Sequence, residues 1–108
     1  MTNLKTSNQF HLLVVDDEET ARTSLGEILR LEGFRVDTAG DGTLAITKIT
    51  QQAASGTSYD LILLDLKMPG IDGLDVLRFI TQLTPEPNDP NRPMVILLTA
   101  HGSLESAI

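Results

Sequence analysis

Three short runs of unbroken apolar residues constrain this chain most: Leu12–Val15, Leu61–Leu64 and Met94–Leu98. A strand with one wet face alternates apolar and polar residues, because successive side chains point to opposite sides. Runs without alternation need cover on both faces, as in a parallel sheet packed between helices. The longest run, Met94–Leu98, has five residues, far short of the roughly 20 a membrane-spanning helix needs. The segments between the runs carry helical spacing. Ala21, Leu25, Ile28 and Leu29 share one helical face, and Gly33 then reads as the left-handed stop. A second helix is expected from near Thr43, with Ala45, Ile46, Ile49 and Ala53 turned inward. A third, capped by Asp72, carries Val76, Leu77, Ile80 and Leu83 at helical spacing. Arg35–Ala39, bounded by Gly40 and the Asp41-Gly42 turn signal, reads as a further, weaker strand.

The resulting order β-α-β-α-β-α-β predicts an α/β fold with a doubly wound parallel sheet and right-handed crossovers. Another helix is expected to begin at Ser103. Gln51–Ser58 either extends the second helix or forms a small-residue loop. Thr84–Pro93 holds four of the five prolines and reads as a stiff surface loop. Residues 1–108 fit a single domain, with roughly two-thirds of the unfolded chain's surface available for burial.

Composition narrows the function. With 8 Lys+Arg against 15 Asp+Glu, the net charge is −7, which disfavours direct binding of nucleic-acid phosphates. The absence of cysteine excludes disulfides and thiolate chemistry. Met1–Gln9 carries no apolar core of a secretory signal, so a cytoplasmic protein without membrane attachment is expected. His11 reads as a surface or strand-edge residue. The two histidines flank different strands, so neither a His-metal cluster nor a Ser-His-Asp arrangement has support. No glycine-rich phosphate loop is present.

The acidic residues are placed more tellingly. The first apolar run ends in Asp16-Asp17, the run Leu61–Leu64 ends in Asp65, and the last ends in Thr99-Ala100. Open parallel sheets bind ligands outside the carboxyl ends of their strands, where the strand order reverses. If the first and third strands are neighbours, Asp16, Asp17 and Asp65 meet in one pocket, with the Thr99 hydroxyl on its rim. Carboxylates so close raise one another's pKa, and a hard divalent cation resolves the conflict. Oxygen ligands completed by water and a backbone carbonyl favour Mg²⁺, with Mn²⁺ as a substitute, over zinc. Taken alone, Asp16-Asp17 fits equally well an ordinary strand-end pair in which one residue caps the next helix, and Asp65 alone could be a loop carboxylate. The three together favour a metal site.

The segments VVDDEETARTSL, LILLDLKMPGIDGLDVL and VILLTAHGS resemble, in order, the landmarks of the response-regulator receiver domain of bacterial two-component systems. The match runs from Leu12 to the end of the chain. It implies a flavodoxin-like fold with strand order 2-1-3-4-5, and a phosphoacceptor switch that assists its own phosphotransfer and dephosphorylation rather than an enzyme. Asp65 would take a phosphoryl group from the phosphohistidine of a sensor histidine kinase or phosphotransfer protein. Asp16, Asp17, Asp65 and the backbone carbonyl of Lys67 would form the Mg²⁺ shell. Thr99 would be the switch hydroxyl, relaying the change to an output domain or partner. Lys67 and His101 would tune how quickly water removes the phosphate, and Ala100 would keep its approach open. Solvated loop residues, or for Ala100 a short residue at a strand end, fit these positions too. Pro69 would shape the loop beside Asp65, and Gly73 permits a close approach or simply starts a helix. TAHGSLESAI further resembles the receivers of regulators that activate transcription with the alternative sigma factor of the sigma-54 type.

The family continues through the rest of a fourth helix, a fifth strand and a fifth helix, whereas this sequence ends at Ile108. The expected order is therefore 2-1-3-4, with the fifth strand and its active-site Lys missing and the chain read as a C-terminally incomplete receiver. Met94–Leu98 then becomes an apolar edge open to strand addition, so marginal stability or a homodimer is expected. Two other classes compete. A Mg²⁺-dependent phosphohydrolase with an aspartyl nucleophile usually wants a second acid two residues on, where this chain has Lys67. A receiver-like interaction module that is never phosphorylated is the third.

Overall fold

The structure is a computed structural model and describes residue 6, residues 9–98 and residues 104–105. The elements run β1 (His11–Val15), α1 (Glu19–Leu31), β2 (Arg35–Ala39), α2 (Gly42–Ala54), β3 (Leu61–Asp65), α3 (Gly73–Leu83), β4 (Met94–Leu98) and β5 (Leu104–Glu105). The sheet order is β2-β1-β3-β4-β5. The first four strands are parallel, as the apolar runs require, and the order reverses between β1 and β3.

The continuous runs are apolar because each strand feeds two cores. Leu13 and Val15 point with Ile62, Leu64 and Met68 toward the α2 and α3 side, where Ala45, Ile49, Val76 and Ile80 complete the larger cluster. Leu12 and Val14 point the other way with Val36 and Leu63, packed by Leu25, Leu29 and Phe34. Fully burying a side chain of this kind contributes roughly 1.5–3 kcal/mol relative to leaving it exposed.

Local chemistry sets the helix ends. At the end of α1, Gly33 takes φ +99°, its N–H donates to the Arg30 carbonyl, and the Phe34 N–H donates to the Leu29 carbonyl. Asp41 caps α2 by accepting from the Leu44 N–H at 2.7 Å. Asp72 and Asp75 form a reciprocal capping box on α3. Helix α2 ends at Ala54, so the rest of Gln51–Ser58 is loop, with Gly56 at φ +76°.

Four expectations need correction. Ile28 is 56% exposed, because the buried line through α1 passes through Gly26, whose absent Cβ admits Thr38 of β2 at van der Waals distance. Ala53 and Leu83 are exposed as well. They lie near the C-terminal ends of α2 and α3, which part around a cavity of about 170 Å³ walled by Tyr59, Ile62 and Pro93. The helix expected from Ser103 is not formed at Leu104–Glu105, which pair antiparallel with Leu98 and Leu97 of β4. At Leu97 and Leu98 the outer edge of β4 thereby satisfies backbone groups that a helix at this place would leave unpaired. This two-residue strand is not the parallel fifth strand that the family resemblance implies. Finally, His11 is buried rather than superficial, because β1 lies between β2 and β3. Its Nε2 lies 2.8 Å from Asp37 Oδ2, which also accepts a 2.7 Å hydrogen bond from the Tyr59 hydroxyl. Burial first, and Asp37 second, raise the Tyr59 pKa, keeping the phenol protonated.

Candidate metal and phosphoacceptor site

Register brings the acids together. Val15 of β1 pairs with Leu64 of β3, so the next residue on each strand, Asp16 and Asp65, emerges at the same end of the sheet beside Asp17. One carboxylate oxygen from each of the three lies within 4.8 Å of the others. Asp65 is buried, Asp16 half-buried and Asp17 exposed, so the cluster opens to solvent on the Asp17 side.

Local hydrogen bonds aim the two inner acids. Asp16 Oδ1 accepts from the Glu18 N–H at 2.9 Å, and Asp65 Oδ1 accepts from the Lys67 N–H at 3.1 Å. Asp16 thus tightens the turn before α1 while also standing in the acidic cluster, but neither it nor Asp17 caps the helix as the strand-end reading expected, since the N-cap is Glu18. Burial is the main force on Asp65 and pushes its pKa up to about 6. The negative charges of Asp16 and Asp17 and a hydrogen bond with Asp17 push the same way, and the Lys67 N–H opposes them. Oxygen-only donors at this separation, one of them driven toward its neutral form, are suited to a hard cation such as Mg²⁺.

The loop carrying Lys67 is clamped from both sides. A Cβ on Gly73 would lie 2.3 Å from the Asp65 carbonyl oxygen, and one on Gly42 would lie 2.3 Å from the Ile71 carbonyl oxygen. Both glycines are therefore close-approach positions that let α3 and α2 press against the segment beyond β3. Met68 is buried beneath this loop, whereas Lys67 and Pro69 are exposed. Thr99, Ala100 and His101 lie outside the described residues.

Two contributors escaped sequence reasoning. Gly42 was legible only as half of a turn signal. Arg22, one turn into α1, reaches back so that its Nη1 donates to the Asp16 carbonyl oxygen at 2.8 Å. A long cationic residue early in a helix that starts beside acids was the available signal, since helical side chains lean toward the N-terminus. Among the described residues, no helix is long and apolar enough to cross a membrane.

Known proteins resemble this chain in sequence and fold. The chain is 41% identical over 96 residues to the transcriptional regulatory protein ResD of Bacillus subtilis, covering 89% of this chain and 35% of ResD. It is 34% identical over 94 residues to sporulation initiation phosphotransferase F of the same organism, covering 87% of this chain and 67% of that protein. The chain thus spans about a third of the first relative and two-thirds of the second. The response regulator TrrA of Thermotoga maritima has been solved with Mg²⁺ and BeF, and superposes with a TM-score of 0.68 at 39% identity over 85% of this chain and 70% of that one. TrrA in complex with the histidine kinase ThkA gives a TM-score of 0.70 at 37% identity, covering 93% and 77%. Residues 12–108 match the family model of the response regulator receiver domain, and this chain belongs to that family.

Proposed function

We propose that Asp65 is the phosphoacceptor of a two-component signalling switch. The convergence of Asp16, Asp17 and a buried Asp65 at the ends of β1 and β3 carries this reading. Asp16, Asp17, Asp65 and the Lys67 backbone carbonyl would hold Mg²⁺, with Mn²⁺ as a substitute. When bound, the ion supplies the positive charge that lets an anionic acceptor meet an anionic phosphoryl group. An Asp65 carboxylate oxygen attacks phosphorus, a P–O bond forms, and the P–N bond of the kinase phosphohistidine breaks, leaving imidazole that takes up a proton. The donor is a sensor histidine kinase or a phosphotransfer protein, consistent with the kinase complex formed by the related TrrA.

The new phosphoryl group brings nearly two negative charges and strong acceptor oxygens. Thr99 is assigned as the hydroxyl that turns to donate to them, relaying the change to an output domain or partner. Lys67 and His101 are assigned to the lifetime of the acyl phosphate, and Ala100 to room for its approach. The domain would thereby assist its own phosphorylation and hydrolysis, and we assign it to the cytoplasm.

Incubation with acetyl phosphate and Mg²⁺, followed by intact mass measurement, tests the reading. A single phosphoryl adduct lost in Asp65→Ala is expected. Multiple turnover of a phosphoester would point to a phosphohydrolase, and no adduct under any condition would leave an interaction module.

A further inference from the structure

The Arg22 side chain reaches from the turn after β1 to the turn after β2. Its Nη1 donates to the Asp16 carbonyl oxygen at 2.8 Å. Its guanidinium also rests against Gly40, where an added Cβ would come within 3.1 Å of Nη1 and 3.4 Å of Cζ. Gly40 directly follows Ala39, whose carbonyl accepts the Asp16 N–H at 3.1 Å. The Asp16 backbone is thus tied to the β2–α2 turn through its N–H and through Arg22 from its carbonyl. The N-cap of α1, Glu18, makes no side-chain capping bond; from the helix side only its backbone N–H, donating to Asp16 Oδ1 at 2.9 Å, joins Arg22 in holding this turn.

We propose that Arg22 is a positioning residue for the metal and phosphoryl chemistry. By holding the peptide between Asp16 and Asp17, it fixes the direction in which both carboxylates leave the chain. The absence of a side chain at Gly40 gives the guanidinium its seat. This inference rests on the phosphoacceptor reading and deepens it, since it assigns a role to a group that touches neither metal nor phosphate. Outer groups that orient metal ligands typically account for 10–100-fold in affinity.

The sign of the effect separates positioning from charge. Removing a cation bound to the Asp16 carbonyl should, by Coulomb attraction alone, tighten the binding of a divalent cation at the neighbouring acids. Positioning demands the opposite. Calorimetric titration of Mg²⁺ into the 108-residue chain should give binding about 10-fold weaker in Arg22→Ala than in the wild type. Arg22→Lys should recover part of the loss by donating to the same carbonyl. Gly40→Val, which fills the seat while leaving the arginine in place, should weaken Mg²⁺ binding comparably. Because both substitutions break one contact, the Arg22→Ala/Gly40→Val double variant should be little worse than Arg22→Ala. Urea unfolding without Mg²⁺ establishes that each titrated variant is folded; if Arg22→Ala is not, Arg22→Lys and Gly40→Val carry the test. Unchanged or tighter Mg²⁺ binding in the folded variants, or losses that simply add, would overturn the role of Arg22 alone. A wild-type chain that takes up no Mg²⁺ would overturn the phosphoacceptor reading and this inference with it.

Discussion

Asp65 is held in an environment that suits its proposed role as phosphoacceptor and that the fold tolerates poorly. A buried carboxyl beside Asp16 and Asp17, with its pKa pushed up to about 6 from an ordinary value of 3.8, prefers to keep its proton. Unfolding releases it to its ordinary value, so the native state binds more protons between pH 4 and pH 6. Stability from this group is therefore fully present below about pH 4 and is lost as pH rises through about 6. A shift of this size corresponds to a loss on the order of 2–3 kcal/mol. In EDTA, urea unfolding of the wild type should show the native state weakening across that window and levelling above it. Asp65→Asn should lack this weakening and exceed the wild type in stability at pH 7, and Mg²⁺ should restore the wild type there by mass action. A wild-type profile parallel to that of Asp65→Asn would refute this account. The three acids were legible in the sequence because Asp16 and Asp65 directly follow apolar runs and Asp17 adjoins Asp16. Arg22 was not, because it acts through a backbone carbonyl that no side-chain pattern displays. Nor was the contact of His11 with Asp37 and Tyr59, which joins residues 26 and 22 positions apart across three segments.

Helix α3 delivers the fold's geometry to the site. Its capping box starts it at Asp72, and the closeness of Gly73 to the Asp65 carbonyl brings its first turn against the end of β3. In most helices Gly→Ala helps by restricting the unfolded chain, by roughly 0.4–1 kcal/mol. Here the new Cβ would meet a backbone oxygen at 2.3 Å, and backbone cannot move aside as a flexible side chain can. Gly73→Ala should therefore destabilise by roughly 1–3 kcal/mol and slow phosphorylation by acetyl phosphate, because α3 must back away from the loop that carries Lys67. Chemical denaturation and the mass assay measure the two effects, and a stabilised, fully active variant would remove the close-approach role. The same reasoning explains what periodicity could and could not foretell. It located α1, α2, α3 and the four parallel strands, because each must bury a face. It assigned Ala53 inward, and set Ile28 and Leu83 on apolar helical faces, because it assumes that each helix lies flat on the sheet along its whole length. In the fold, Gly26 sets the rotation of α1, and α2 and α3 part at their C-terminal ends around the cavity.

Across the molecule, the sheet's cover is uneven. β1 and β3 are buried on both faces, whereas Met94 is 67% exposed and Val95 to Leu98 are half-buried. Ile28 and Leu31 on α1 are also exposed. Among the described residues, β5 covers the outer edge of β4 only at Leu97 and Leu98, leaving Met94 to Ile96 with backbone donors and acceptors facing outward. The apolar pattern of Met94–Leu98 forewarned of this edge, but not of the short strand that occupies its far end. Such an edge is a template for pairing with a second copy. The net charge of −7 opposes association by repulsion over a distance that salt shortens. The 108-residue chain should therefore shift from monomer toward dimer as concentration rises in sedimentation velocity, and more strongly at high ionic strength. Met94→Lys adds a charge to the edge at an exposed position and should suppress the shift while leaving Mg²⁺ binding intact, because β4 begins at the end of the sheet opposite the acidic cluster. A folded monomer across the whole concentration range at high salt would mean that β5 and the strand's own twist already protect the edge.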